Sequence, residues 1–160
     1  MEAADRDEEK NMTKDVLLSI SGLQFDASQD DTNIETITAA EYYKRNDSHY
    51  LLYDEVMEGF EESTKSVIKF KDNQLELTKK GLVNVHMIFE KNRKNMTRYH
   101  TPYGEIMIGI EAEQITLKEE EAHISVQVDY ALEINYEHMA DCKISVNICP
   151  RENVGSMLLS

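Results

Sequence analysis

Residues 122–136 alternate between apolar and polar side chains, and only Ala131 departs from the pattern. The apolar set consists of Ile124, Val126, Val128, Tyr130, Leu132, Ile134 and Tyr136. A period of two is typical of a β-strand with one buried face. Fully extended, this strand would measure ~45 Å at about 3.3 Å per residue. In a small domain we therefore expect it to bend, coil or pass around a barrel.

The same kind of pattern predicts strands along the rest of the chain. They cover residues 14–25, 49–57, 65–71, 74–79, 82–90, 96–100, 106–117 and 144–148. Residues 34–45 favour a short helix through Ala39, Ala40 and Glu41, whereas the β-branched and tyrosine residues around these favour a strand. We interpret this segment as a strand.

Turn-forming and charged residues separate the predicted strands. We predict turns at residues 46–48, 72–73, 91–95, 118–121 and 137–141, and a polar loop at 26–33. The phase of the apolar positions changes near Glu113, which indicates a β-bulge. The pattern therefore predicts about nine or ten strands joined by short connections.

Evenly spaced strands with short turns are typical of an all-β fold, either a sandwich or an up-and-down barrel. We favour a single antiparallel up-and-down barrel of about 8–10 strands, because a closed sheet leaves no bare edges. The barrel domain would cover residues 14–150. Residues 1–13 are predicted to be a disordered acidic tail, and residues 151–160 a mobile C-terminal end.

Charge and composition narrow the classes of function. The chain has 160 residues and a net charge of -14, so it should repel phosphate backbones, and we expect no nucleic-acid binding. No apolar run is long enough for a membrane helix, and the first ten residues lack the apolar core of a secretory signal. We expect a cytoplasmic protein without membrane partners. The oligomeric state stays open.

Metal, cofactor and catalytic signals are weak. No two of the five histidines have the spacing of a local ligand pair, and no phosphate-binding loop or nucleophile motif occurs. Cys142 and Cys149 lie seven positions apart on one predicted strand, so they should be free thiols that point to opposite faces. We expect no cofactor, no metal and no catalytic residue. An enzyme that uses Glu55 or Tyr103 as acid or base is a weaker alternative.

Three stretches carry a family resemblance. They are Tyr50-Leu51-Leu52-Tyr53-Asp54-Glu55, Thr64-Lys65-Ser66-Val67-Ile68-Lys69 and Tyr99-His100-Thr101-Pro102-Tyr103-Gly104-Glu105. In this order, and followed by Tyr130-Ala131-Leu132, they resemble the YwiB-like family of bacterial proteins over residues 14–148. The resemblance implies a calycin-like barrel, similar in shape to lipocalins, with a cupped interior and no known ligand or reaction.

Eight motif positions of these stretches are the candidate ligand-binding residues. They are Tyr50, Tyr53, Glu55, Thr64, Lys65, Thr101, Tyr103 and Gly104. Glu55 and Lys65 could form an ion pair inside the mouth of the barrel, or a salt bridge on its rim with tyrosines packed over the barrel end. Residues 101–104 could instead be a tight turn that needs proline and glycine for backbone reasons.

Barrels of about eight strands can hold one small ligand or can be filled with side chains. We hypothesise that Tyr50, Glu55, Lys65 and Tyr103 gather at one mouth and face a pocket. The predicted function is therefore a module that binds a small apolar or amphipathic molecule. The alternative is an interaction or structural protein with a filled barrel that acts through its acidic surface.

Overall fold

The computed structural model describes residues 14–22 and 35–151, and ten β-strands make up most of them. The strands are β1 (Lys14–Ser21), β2 (Glu35–Arg45), β3 (Ser48–Val56), β4 (Ser63–Lys71), β5 (Gln74–Gly81), β6 (Val85–Glu90), β7 (Lys94–Thr101), β8 (Gly104–Glu120), β9 (His123–Ile134) and β10 (Glu137–Pro150). The predicted tail at 1–13, the loop at 26–33 and residues 152–160 lie outside the described residues. Residues 35–45 of the ambiguous segment form strand β2, as we predicted.

The strands form one antiparallel sheet in the order β6-β5-β4-β3-β2-β1-β10-β9-β8-β7. Strands that follow each other in the chain pair with each other, except β6 and β7 at the two ends of the sheet, and the pairing of β1 with β10 joins the two halves. The outer strands β6 and β7 meet through isolated bridges, Asn84 with His100 and Glu90 with Arg93. The Asn84 N–H donates to the His100 carbonyl at 2.9 Å. The predicted up-and-down antiparallel barrel is therefore confirmed as a nearly closed one.

The connections gather at two ends of the barrel. What we call end A carries the connections at residues 46–47, 72–73, 91–93 and 121–122. What we call end B carries those at residues 57–62, 82–84, 102–103 and 135–136.

Two hairpin turns explain where β2 and β9 end. Asn46 and Asp47 have φ of 51° and 68°, and Asn135 and Tyr136 have φ of 51° and 71°. Two successive positive φ angles are the signature of a type I′ turn, which suits the twist of a hairpin. The predicted connection at 137–141 is wrong, because Asn135-Tyr136 already makes the turn and Glu137 begins β10.

The predicted bulge near Glu113 is confirmed. The register of β8 against β9 shifts between Ala112 and Gln114. The Asn92 N–H from the β6–β7 loop donates to the Ala112 carbonyl at 2.8 Å. β8 then continues to Glu120, so it is longer than β9, and the predicted turn at 118–121 lies at residues 121–122.

Large apolar side chains fill the middle of the barrel. The largest fully buried ones are Tyr130, Phe70, Phe89, Leu18, Leu51, Ile68, Leu75, Leu77, Met87, Ile108, Ile110 and Ile144. Cys142 packs against this core and Cys149 is buried, and neither forms a disulfide, as predicted. The space for polar chemistry lies toward the two ends and in the barrel wall.

Candidate functional site

The barrel wall is split between β2 and β3. Their ladder runs from Arg45 opposite Ser48 to Glu41 opposite Leu52 and stops there. Beyond that point β2 keeps its pairing with β1 as far as Glu35, while β3 keeps its pairing with β4 as far as Val56. Each of the two strands is therefore paired on the side away from the other, and the two diverge toward end B. The edges that face each other there form no ladder.

A groove of about 590 Å³ occupies this split. Its walls are residues 38–41 of β2, 52–54 of β3 and 65–67 of β4. Asp15 and Arg151 lie at its limit toward end A. Pockets that hold small molecules in proteins are usually about 300–1,000 Å³, so the groove has the size of a ligand site.

Tyr53 and Ser66 border the groove from the interior side, because they are opposite each other on β3 and β4 and both are buried. Tyr53 is 5% exposed. Its hydroxyl is buried and has no hydrogen-bond partner among the described residues. Burial raises the pKa of Tyr53 well above its usual range, the nearby Glu55 charge adds to this rise, and Ser66 opposes it. A buried unsatisfied hydroxyl costs about 1–3 kcal/mol, so this phenol favours any acceptor that reaches it.

An ion pair lies behind these two side chains. Lys79 Nζ is 2.9 Å from Glu55 Oε1, and the Ser66 hydroxyl donates to the same oxygen at 3.3 Å. The Lys79 side chain is 13% exposed and that of Glu55 is 36% exposed. Burial and the Glu55 charge raise the pKa of Tyr99.

The rim of the groove carries charges of both signs. Lys65 Nζ lies 3.8 Å from Asp54 Oδ1, and both side chains are well exposed. Arg151 adds a second positive charge, and Asp15 and Glu41 add negative ones. Exposed ion pairs contribute little to stability, so Lys65 can exchange Asp54 for an anionic group at low cost.

The predicted site residues fall into different surroundings. Tyr53 and Lys65 border the groove, whereas Glu55 and Thr64 lie inside, where Thr64 accepts the Val83 N–H at 3.3 Å. Tyr50 stacks on Tyr43 at 4.7 Å between ring centroids, with Lys69 Nζ 5.6 Å from its ring.

The ion pair predicted between Glu55 and Lys65 is wrong. Glu55 lies opposite Thr64 in the register, and Lys65 lies opposite Asp54. Adjacent residues of a strand point to opposite faces, so the two charges are separated by the wall itself.

Residues 101–104 form the tight turn that we gave as the alternative. Thr101 donates its hydroxyl to the Gly104 carbonyl at 3.0 Å and accepts the Tyr103 N–H at 3.0 Å. Gly104 has φ of 135°, which favours glycine. Tyr103 is exposed at end B, edge-on to Phe60 at 6.2 Å. The structure therefore does not bring Tyr50, Glu55, Lys65 and Tyr103 together at one mouth.

Sequence reasoning missed a second polar group, at end A. The Tyr42 hydroxyl is 2.8 Å from His49 Nδ1, and Glu119 Oε2 is 2.6 Å from His49 Nε2. A carboxylate only accepts, so neutral His49 carries its proton on Nε2, and Tyr42 donates to Nδ1. Burial lowers the pKa of His49 although Glu119 opposes this, and burial with the Glu119 charge raises the pKa of Tyr42 to about 12.

The sequence contained a signal for this group, because His49 and Glu119 are polar residues at positions where the alternation places apolar ones. His49 shares its phase with Leu51 and Tyr53, and Glu119 shares its phase with Ile115 and Leu117.

The described residues, 14–22 and 35–151, contain no cluster of three or more histidine, cysteine or acidic side chains that could hold a metal ion. Within the same ranges, no helix has the length and apolar character needed to cross a membrane.

Comparison with known proteins supports the resemblance seen in the motifs. Residues 18–146 match the family described as "Domain of unknown function (DUF1934)". The crystal structure of the ywiB protein from Bacillus subtilis is similar, with a TM-score of 0.66 and 18% sequence identity, over 88% of this chain and 96% of that chain. At this identity the likeness shows the fold alone. No curated protein matches the sequence. The chain belongs to the YwiB-like family of domains of unknown function, DUF1934.

Proposed function

We propose that this protein binds a small amphipathic molecule in the groove between β2 and β3. The observation that carries the proposal is that Tyr53, whose buried hydroxyl has no partner among the described residues, borders a groove of about 590 Å³. Buried polar groups in folded proteins are nearly always paired. An acceptor atom of a ligand would complete the bonding of this phenol.

The walls suggest the chemistry of the ligand. Leu52, Val67 and Ala39 supply apolar surface, while Lys65 and Arg151 supply the positive charges of a rim that also carries Asp15, Glu41 and Asp54. A molecule with an apolar body and an acidic or hydrogen-bond-accepting head fits this arrangement. It would lie in the wall of the barrel rather than in its centre, which apolar side chains fill.

The filled centre also favours the alternative function, an interaction protein that acts through its acidic surface. Neither Cys142 nor Cys149 forms a disulfide, which supports the proposal that the protein acts in the reducing cytoplasm. An interaction protein does not need the groove, so an experiment on the groove separates the two functions.

The test uses anilinonaphthalene sulfonate, an amphipathic anion that fluoresces when it enters an apolar site. Tyr53→Phe removes the hydroxyl, and we expect it to weaken binding about three- to tenfold, the usual value of one hydrogen bond. Tyr50→Phe is the matched control, because it removes a phenol from the outer face of the same strand. It should leave binding unchanged.

A second pair of variants tests the place of binding. Ala39→Trp fills the groove, whereas Ile37→Trp adds the same ring to an exposed position of β2 outside the groove. We expect Ala39→Trp to abolish the fluorescence of the bound probe and Ile37→Trp to leave it unchanged. Equal binding by both variants, or no binding by the unmodified protein, would overturn the proposal in favour of the interaction protein.

A further inference from the structure

We propose that the ligand of the groove is a short extended peptide, which pairs as an added strand with the open edge of β2 and carries basic and apolar side chains on its outer face. This inference rests on the proposed function, because it names the class of molecule that the same groove binds. What we call the open edge is residues 35–40, the part of β2 that lies beyond its ladder with β3.

The open edge presents backbone groups to the split. Residues 46–47 form a two-residue turn, so the pair that flanks it, Arg45 with Ser48, is hydrogen-bonded. Hydrogen-bonded pairs recur at every second position of an antiparallel ladder, so Glu41 with Leu52 is the last of them. By the same alternation, residues 35, 37 and 39 turn their N–H and C=O groups toward β3, where no ladder meets them among the described residues.

One of these groups has a substitute partner. The Ala39 carbonyl accepts the Thr38 hydroxyl at 3.4 Å, a long bond from the adjacent residue. The backbone groups of an open sheet edge are a template for another extended chain, and proteins bind peptides at such edges. A peptide supplies donors and acceptors at the spacing of the edge, so its backbone matches the whole row.

The outward side chains of β2 show which peptide fits. They run acidic, apolar, apolar and acidic, and all four are exposed: Glu35, Ile37, Ala39 and Glu41. Across the split, Val56 of β3 is 74% exposed. Opposite charges and pairs of apolar side chains stabilise neighbouring strands. A strand whose outward positions run basic, apolar, apolar and basic therefore complements this row.

The inner side of the split is small and polar. Thr36 and Thr38 occupy the inward phase of β2, and Tyr53 and Ser66 border the groove from the interior. The Tyr53 hydroxyl has no partner among the described residues. A serine or threonine at the inward positions of the peptide fits here, because its hydroxyl can accept a hydrogen bond from this phenol.

The charge of the protein favours a basic peptide. The chain has a net charge of -14, and Lys65 on the rim is already paired with Asp54 at 3.8 Å. Attraction between exposed charges is screened by salt and acts mainly on the approach of a ligand. The backbone pairing must therefore supply the specificity, and the test has to separate it from charge.

The test is an amide chemical-shift titration with the acetylated and amidated peptide Lys-Ser-Val-Thr-Val-Ser-Lys, in about 0.15 M salt to screen distant charges. We expect it to shift the amides of residues 35–41. The matched control carries N-methyl groups on both valines, which keep the charges and side chains but remove the two N–H groups that face β2. It should bind about tenfold more weakly or worse, as expected for two lost hydrogen bonds.

A pair of protein variants tests the same bonds from the other side. Ala39→Pro removes the N–H that faces the split, whereas the bonds to β1 come from Thr38 and Ala40 and remain. It should lose peptide binding about tenfold, the effect of a lost hydrogen bond and a blocked edge. Ala39→Ser keeps the N–H and should bind the peptide as the unmodified protein does. The N-methylated peptide supplies the same test without any change to the protein.

Four results would overturn the inference. Equal binding of the N-methylated peptide, or shifts confined to the acidic turn at residues 119–121, would show attraction by charge alone. A dimer in which residues 35–41 are protected would make a second copy of the chain the occupant. Binding of anilinonaphthalene sulfonate in the groove without binding of the peptide would refute the peptide and leave the proposed function standing, whereas binding of neither would refute both.

Discussion

Lys79 Nζ lies 2.9 Å from Glu55 Oε1, inside the barrel wall near the split between β2 and β3. Lys79 occupies an inward position of β5, in the same phase as Leu75 and Leu77. The pair compensates two charges that would be costly alone in a partly buried place. The ion pair also holds the Glu55 carboxylate, which accepts the Ser66 hydroxyl. It therefore fixes the positions of Glu55 and Ser66 next to Tyr53.

Lys79→Met should destabilise the protein, because it leaves Glu55 without its counter-charge. We expect a loss of about 1–3 kcal/mol, below the usual range for fully buried pairs, because Glu55 is partly exposed to water. Urea unfolding measures this loss. Lys65→Met is the control, since its exposed partner is Asp54, and it should change stability by about 0.5 kcal/mol or less. Equal effects of the two substitutions would contradict the role of the internal pair.

Stability should fall as the pH drops below about 6.5, the ordinary pKa of histidine in an unfolded chain. The folded protein holds the pKa of His49 below that value, so the unfolded state binds more protons in this window. Stability then rises with pH through the window and is complete above it. Urea unfolding at several pH values from 5 to 8 should show this slope.

His49→Gln should flatten that slope, whereas His123→Gln, at an exposed position of β9, should keep it. A slope that persists unchanged in His49→Gln would assign the pH dependence to other groups.

Tyr136→Gly should stabilise the protein. Tyr136 has φ of 71° in a type I′ turn, a conformation that glycine adopts without strain, and its side chain is exposed. We expect a gain of about 0.5–1 kcal/mol in thermal or urea unfolding. Tyr136→Ala removes the same ring but keeps a Cβ, so it should give no such gain. A similar gain from both would mean that the ring, and not the backbone, is the source of strain.

Nucleic-acid binding should be negligible at physiological salt, because the net charge of -14 repels phosphate groups. A gel-shift titration with double-stranded DNA and single-stranded RNA measures this. Binding at micromolar protein would contradict the prediction and would direct attention to the basic side chains around Arg93.

Alternation predicted the strands and the barrel because an inward position must be apolar almost everywhere in a filled core. It also located the bulge, since the phase of Ile110 and Ala112 differs from that of Ile115 and Leu117. The end of β9 could not be predicted, because Asn135 and Tyr136 continue the alternation although their backbone turns.

The candidate site was harder to predict than the fold. On β3 both faces are mixed, so the pattern did not show that Tyr53 and Glu55 point inward and Tyr50 outward. A shift of the pattern by one residue reverses which side chains point inward. In the observed register Glu55 and Lys65 point to opposite faces of the sheet. The split between β2 and β3 left no trace in the pattern, because both strands keep their outer partners and so continue to alternate.

Ligand binding in the split between β2 and β3 is tested most directly by amide chemical-shift mapping with anilinonaphthalene sulfonate. We predict that the probe shifts the amides of residues 36–41 and 52–56, on the two facing edges, and leaves those of β5 and β6 unchanged. Shifts confined to the turns of end A or end B, or no shifts at millimolar probe, would contradict a binding site in the barrel wall.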